Sequence, residues 1–327
     1  MAVTANRKLK IGVLMGGPSA EHEVSLSTGD NVVANLDKAK YKPVVIKLSK
    51  NKKWFVNGRL TTLPKAMKSC DIIFNALHGT FGEDGRVQAL LEYHDARYTG
   101  SGITASALAM DKLRSREIFK LAGFCVPKTL KIKKGENYQA RLNLFITKIT
   151  KLPVVVKPCS NGSSVGVKII SDESKLIKAI DETFKLDKKI LVEEFIKGRE
   201  VTCGVLDNFN GQETAALPVT EIAPAKKHKF YDYDAKYKDG HTAFTTPAQI
   251  DETTYNKAQE VAVRAHQLLG CRGYSRTDMI LRNDNIYVLE TNTLPGLTSH
   301  SLVPQAAKVS GLTFGQLLDK IIENSLA

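Results

Sequence analysis

The sequence predicts an α/β chain that turns α+β in its later half, and three observations predict it. Apolar, β-branched runs ending in Gly, Asn or Pro recur between helix-like segments: KIGVLMGG from Lys10, DIIFNALHG from Asp71 and PVVVKPCSNG from Pro153. The later strand-like runs, ILVEEFI from Ile190, VTCGVL from Val201 and NIYVLETN from Asn285, are separated by Gly, Asn or Asp, which favours antiparallel pairing. The pattern also breaks near residue 105 and near residues 198–201, giving three expected lobes at 1–105, 106–197 and 198–327, the first with a doubly wound parallel sheet.

Composition sets the outer bounds. A chain of 327 residues, 43% hydrophobic and 25% charged, can bury several cores without disulfides. Cys70, Cys125, Cys159, Cys203 and Cys271 are dispersed and form no CxxC pair, so neither a zinc site nor a disulfide framework is expected, and a reducing cytoplasm fits. The first apolar run is too short for a signal-peptide core, and no later run reaches the roughly 20 residues of a membrane span. The net charge of +13 admits anionic substrates. With no RNP-like, zinc-finger or arginine-rich signature, however, the lysines read as a solvated face and not as a nucleic-acid surface.

Taken in order, the first strand runs into Gly16-Gly17-Pro-Ser-Ala-Glu21, a strand-to-helix turn where Glu21 either caps the helix or holds an ammonium group. His78 opens a glycine-rich loop, HGTFGEDG, at a strand end, where α/β proteins place ligands; the alternative is a structural histidine. Residues 152–166 set Lys157 before the small, glycine-bearing loop CSNGSSVG, whose N–H groups can wrap phosphate oxygens or form a plain β-turn. Helices are expected over 174–186, with Leu176, Ile177, Ile180 and Phe184 inward, and over 255–269, with Val261, Ala262, Ala265, Leu268 and Leu269 inward and Gly270 as the stop. The polar stretch 224–247 is long enough to be a lid. Glu290 and Asn292 share one strand face, a neighbouring strand can bring Asp278 beside them, and oxygen ligands of this kind suit Mg²⁺. Arg276, two residues before Asp278, either stabilises charge at an attacked carbonyl or forms a structural salt bridge.

Together GGPSAEHEVS, HGTFGEDG, MDKLRSR, VVVKPCSNGSSVGV, YDYDAKY, GYSRTDMIL and LETNTLPGLTSHSLVP closely resemble the D-alanine–D-alanine ligase family of the ATP-grasp superfamily. The resemblance implies a three-lobed ATP-grasp architecture, a homodimer, and ATP held with two Mg²⁺ ions, or Mn²⁺, on Asp278, Glu290 and Asn292. It gives Lys112, Lys157 and Lys236 to the nucleotide phosphates and Glu193, Glu194, Ile196 and Glu200 to the adenosine side. The family often has lysine at the position of Glu194. Glu21 would take the ammonium of the first D-alanine and His78 would lie near its carboxylate, with Ser163 and Tyr237 tying the lid to Glu21. Ser301 and Leu302 would meet the second D-alanine, and Arg276 with the Gly296 N–H would form the oxyanion hole. Tyr237 resembles the dipeptide-forming members, whereas those making D-alanyl-D-lactate carry phenylalanine there; the latter activity is the nearest alternative, followed by other carboxylate–amine ligases. A dehydrogenase is disfavoured because GxGxxG is missing, and a basic binding module would not require Lys157, Asp278, Glu290 and Asn292 together.

Overall fold

The structure is a computed structural model and describes residues 7–159, 166–224 and 242–326. Strands β1 (Leu9–Gly16), β2 (Tyr41–Leu48), β3 (Trp54–Val56), β4 (Arg59–Thr61) and β5 (Ile72–Asn75) form a first sheet in the order β4-β3-β2-β1-β5. β1 runs parallel to β2 and β5, while β3 and β4 add an antiparallel hairpin at the edge. Ile11, Val13 and Met15 enter one core and Leu14 another, as expected where a parallel sheet is covered on both faces. The helices of this part are α1 (His22–Asn35), α2 (Leu63–Lys68) and α3 (Arg86–Tyr93).

Next come α4 (Ile103–Met110) and α5 (Lys112–Leu121); the expected break near residue 105 falls inside α4. A second sheet contains β6 (Thr129–Lys133), β7 (Val154–Pro158), β8 (Lys168–Ile170) and β9 (Lys189–Glu194) in the order β6-β9-β7-β8, with every pairing antiparallel. The run that reads in sequence as another α/β strand, β7, thus lies in an antiparallel sheet, because apolar patterning marks a buried strand without marking its direction. Around it are α6 (Gln139–Leu144) and α7 (Leu176–Thr183), and Ile132, Val154, Val156, Leu176, Ile180, Ile190 and Val192 share a core. The α7 stripe is Leu176, Ala179, Ile180 and Thr183; Ile177, expected inward, lies off that stripe and is 46% exposed.

The third sheet contains β10 (Arg199–Phe209), β11 (Gln212–Ala216), β12 (Thr220–Pro224), β13 (Thr242–Thr245), β14 (Tyr274–Arg282) and β15 (Asn285–Asn292). Its order is β13-β12-β10-β14-β15, with β11 also on β10. Part of the stretch expected as a lid is therefore a strand, β13, paired antiparallel with β12. α8 (Glu252–Leu269) packs Ala258, Val261, Ala262, Ala265 and Leu269 into the core beneath, and Gly270 ends it in the left-handed region at φ 67°. Leu268 is 39% exposed, because the buried face turns at this point to His266 and Leu269. α9 (Leu302–Val309) and α10 (Phe314–Glu323) close the chain.

Ile11, Val13 and Phe74 of the first sheet share a core with Leu206, Tyr274, Val303, Leu317 and Ile321, so the N-terminal and C-terminal parts are packed as one body. The second sheet keeps its own core. Between the second and third sheets lies a polar seam, and the residues that carry chemistry gather there and at its mouth.

Candidate active site

One wall of the seam is a face of the second sheet. β7 and β9 pair with Val155 opposite Glu193, and β6 and β9 with Thr129 opposite Glu193, so Lys157, Glu193 and Thr129 share the face turned away from Val154 and Val156. Lys157 Nζ lies 2.9 Å from Glu193 Oε2, and the other carboxylate oxygen pairs with Arg116 of α5. Burial pushes the Lys157 pKa down and the Arg116 charge pushes the same way, so that it falls to about 8 despite Glu193. Burial opposes ionisation of Glu193 as well, but Arg116 and Lys157 outweigh it and hold this carboxyl below its ordinary pKa. Glu194, on the opposite strand face, lies 3.6 Å from Arg282, while Ile196 is buried in the connection to β10.

The third sheet supplies the facing wall. Antiparallel register sets Asp278 directly opposite Glu290, Arg276 opposite Asn292 and Thr202 opposite Asp278, which puts all five on one face. Glu200 precedes Thr202 by two residues and shares that face. Asp278 is 6% exposed and accepts from Arg276 Nε and Nη2 at 2.9 and 2.8 Å and from Thr202 Oγ1 at 2.6 Å. Glu290 Oε2 lies 3.0 Å from Lys112 Nζ at the start of α5, where Asp111 caps the helix by accepting from the Leu113 and Arg114 N–H groups. Asn292 Oδ1 accepts from the Leu294 N–H at 2.8 Å. Two carboxylates and an amide on one face, with cations beside them, form a hard-oxygen donor set that fits a divalent ion such as Mg²⁺. Among the described residues no cluster of three His, Cys, Asp or Glu could hold a metal ion by itself.

At the mouth, two glycine-bearing loops of the first sheet meet. Ser19 Oγ donates to the His78 carbonyl at 2.6 Å, and a Cβ built on Gly79 would come 2.6 Å from Glu21 Oε2. His78 is buried with both ring nitrogens engaged, Nε2 at 2.8 Å from Thr28 Oγ1 and Nδ1 at 3.4 Å from Glu83 Oε1. Glu83 Oε1 also accepts the Gly79 N–H at 2.8 Å. Asn31 of α1 donates to the Leu297 carbonyl at 2.6 Å and thereby brings the loop after β15 to this mouth. Gly296 sits there: a Cβ on it would lie 3.0 Å from Ser301 Oγ and 3.9 Å from His78 Cε1. Ser301 Oγ accepts from the Thr298 N–H, leaving the α9 N-terminus at Ser301 and Leu302 without a side-chain cap. An uncapped helix N-terminus is a place for a carboxylate.

The fold thus brings together Glu21, His78, Gly296, Ser301 and Leu302 at the mouth and Lys112, Lys157, Glu193, Arg276, Asp278, Glu290 and Asn292 along the seam. Ser163, Lys236 and Tyr237 lie outside the described residues. Arg116, Thr202, Thr28 and Glu83 escaped the sequence reading. The first two carried usable signals, since Arg116 is four residues from Lys112 on one helix and Thr202 two from Glu200 on one strand.

Comparison with known proteins gives a consistent result. The family described as D-ala D-ala ligase C-terminus matches residues 118–323, and D-ala D-ala ligase N-terminus matches 10–66 and 57–101. A D-alanine–D-alanine ligase of Syntrophobacter fumaroxidans is 41% identical over 322 residues, covering 98% of this chain and 99% of the relative. The crystal structure of a D-Ala:D-Ser ligase from Enterococcus faecalis superposes with a TM-score of 0.84 at 32% identity, covering 98% of this chain and 100% of that one. A D-alanine–D-alanine ligase of Bacillus anthracis complexed with ATP gives 0.80 at 34% identity, covering 97% of each chain.

Proposed function

The chain belongs to the D-alanine–D-alanine ligase family, and on that premise we propose how its residues carry out the ATP-dependent joining of two D-alanine molecules into D-alanyl-D-alanine, a peptidoglycan precursor. The observation that carries the reading is the pair of facing walls, with Lys157 and Glu193 on one and Arg276, Asp278 and Glu290 on the other.

A carboxylate is a poor electrophile and needs a leaving group. ATP lies in the seam, with Lys112, Lys157 and Lys236 on its phosphates and Glu193, Glu194 through its backbone, Ile196 and Glu200 on the adenosine side. Asp278, Glu290 and Asn292 would hold two Mg²⁺ ions, or Mn²⁺, which would neutralise charge on the transferred phosphoryl group. Glu21 holds the ammonium of the first D-alanine and His78 orients its carboxylate. A carboxylate oxygen bonds to the γ-phosphorus, the bond from that phosphorus to the ADP oxygen breaks, and D-alanyl phosphate forms. The second D-alanine, its carboxylate at the α9 N-terminus, attacks the carbonyl carbon through its amine. Arg276 and the Gly296 N–H meet the developing oxyanion. The carbon–oxygen bond to phosphate then breaks, and the nitrogen gives up its proton. To Ser163 and Tyr237, together with Glu21, we assign the exclusion of water from the acyl phosphate.

No helix among the described residues is long and apolar enough to cross a membrane; we assign the enzyme to the cytoplasm, as a homodimer. The test of the acyl phosphate is isotopic. With ¹⁸O in the D-alanine carboxylate, released phosphate must carry one ¹⁸O; unlabelled phosphate would remove the intermediate.

A further inference from the structure

Arg116 lies on α5 one turn beyond Lys112, so the two side chains leave the same helix face. It is 3% exposed and spans the seam. Nη1 donates to Glu193 of β9 and, at 3.3 Å, to Thr129 Oγ1 of β6, while Nε donates to the Leu289 carbonyl of β15 at 2.9 Å. Leu289 is the residue left over where the pairing of β14 and β15 shifts, since Asp278 faces Glu290 but Met279 faces Val288. Such a bulge frees a carbonyl from the ladder and re-aims the side chain next to it. Here the freed carbonyl is the one that Arg116 takes, and the next residue is Glu290.

One guanidinium therefore grips both walls. Through Glu193 it reaches Lys157, and through the Leu289 carbonyl it reaches Glu290. Fold stability alone does not call for it, because an apolar side chain of similar volume usually serves as well as a buried ion pair. Arg116 moreover leaves its Nη2 buried without a hydrogen-bond partner among the described residues.

We propose that Arg116 is a positioning residue of the ATP cleft, setting the spacing between Lys157 on the second sheet and Glu290 on the third by holding the Glu193 carboxylate and the Leu289 carbonyl at once. The inference rests on the nucleotide reading above and adds to it a residue that touches neither the phosphates nor the metal.

Arg116→Lys separates the two grips, since lysine can keep a positive charge on Glu193 but carries all its donors on one nitrogen, in place of the separate Nη1 and Nε that reach Glu193 and the Leu289 carbonyl. The test measures binding of the β,γ-imido analogue of ATP to the full chain by titration calorimetry, with Mg²⁺ and with EDTA, alongside kcat and KM. Arg116→Lys should bind the analogue in EDTA within about twofold of wild type, while the gain in affinity from Mg²⁺ and kcat each fall about tenfold, the size of one charge-assisted hydrogen bond. Arg116→Met should weaken binding in EDTA as well; if it does not fold, the lysine variant decides alone. Unchanged binding and turnover in Arg116→Lys would overturn the proposal, as would a loss that is equal with and without Mg²⁺, because Glu290 would then be uninvolved. Wild type failing to bind the analogue would overturn the nucleotide reading too, which distinguishes the two failures.

Discussion

Replacing Arg276 with methionine tests two consequences of one geometry. The guanidinium gives two charge-assisted bonds, at 2.9 and 2.8 Å, to a carboxylate that is 6% exposed, and its loss leaves Asp278 with Thr202 Oγ1 at 2.6 Å. Removing one partner of a fully buried pair costs about 3–5 kcal/mol, and the lower end applies here because the arginine sits at the rim of the seam. Melting measured in EDTA should therefore fall, and Mg²⁺ with an ATP analogue should recover part of the loss, because a cation beside Asp278 replaces the missing charge. The catalytic consequence is separate. Loss of one oxyanion donor costs about 10²–10³ in kcat, or roughly 3–4 kcal/mol. KM for ATP should change little, since that donor acts after phosphoryl transfer. Arg276→Lys should fall between, keeping the charge without the fork. Steady-state ADP release and dipeptide formation, followed together, provide the assay. A kcat within about threefold of wild type, against the loss expected for an oxyanion donor, would refute the assignment, and a melting temperature unchanged in EDTA would refute the account of the ion pair.

The remaining predictions concern the other wall, the mouth and the lid. Because Lys157 has its pKa lowered to about 8, kcat/KM for ATP should fall as the pH rises through that value and the free enzyme loses the charge, and Lys157→Arg should move the fall to higher pH. The same depression means that the folded state binds fewer protons than the unfolded chain between about 8 and the ordinary 10.5, so this group favours folding more as the pH rises across that window, which urea midpoints can follow. Gly79→Ala places a Cβ 2.6 Å from Glu21 Oε2 on a backbone with φ 70°, so KM for the first D-alanine should rise several-fold with KM for ATP unchanged; equal kinetics would separate Gly79 from the amino-acid site. Tyr237→Phe should raise the share of D-alanyl-D-lactate when D-alanine and D-lactate are offered together, and product ratios unchanged across pH would count against a role for the hydroxyl.

What could be read in the sequence differs between strands, helix faces and cross-seam contacts. Strands β1, β5 and β7 appear where apolar runs end in Gly, Asn or Pro, and β9, β10 and β15 at the later strand-like runs, because burial of a strand is written locally. Their direction is not local, which is why β7 read as part of an α/β alternation and lies in an antiparallel sheet. Helix faces were legible to within one residue. Ile177 and Leu268 sit at the stripe edges, where tertiary packing decides exposure. At the site, period two aligned Glu290 with Asn292, but the register that sets Asp278 opposite Glu290 depends on pairing across the sheet. Arg116 was present in MDKLRSR, yet its partners lie 77 and 173 residues away, and no local pattern joins them.

The most direct test of the central claim is product identification by mass spectrometry after incubation with Mg·ATP and D-alanine, with L-alanine and with D-alanine plus D-lactate as parallel reactions. D-alanyl-D-alanine formed in step with ADP, and no dipeptide from L-alanine, is the predicted result. ADP released without D-alanine, or D-alanine left unjoined while ATP is consumed, would contradict the account.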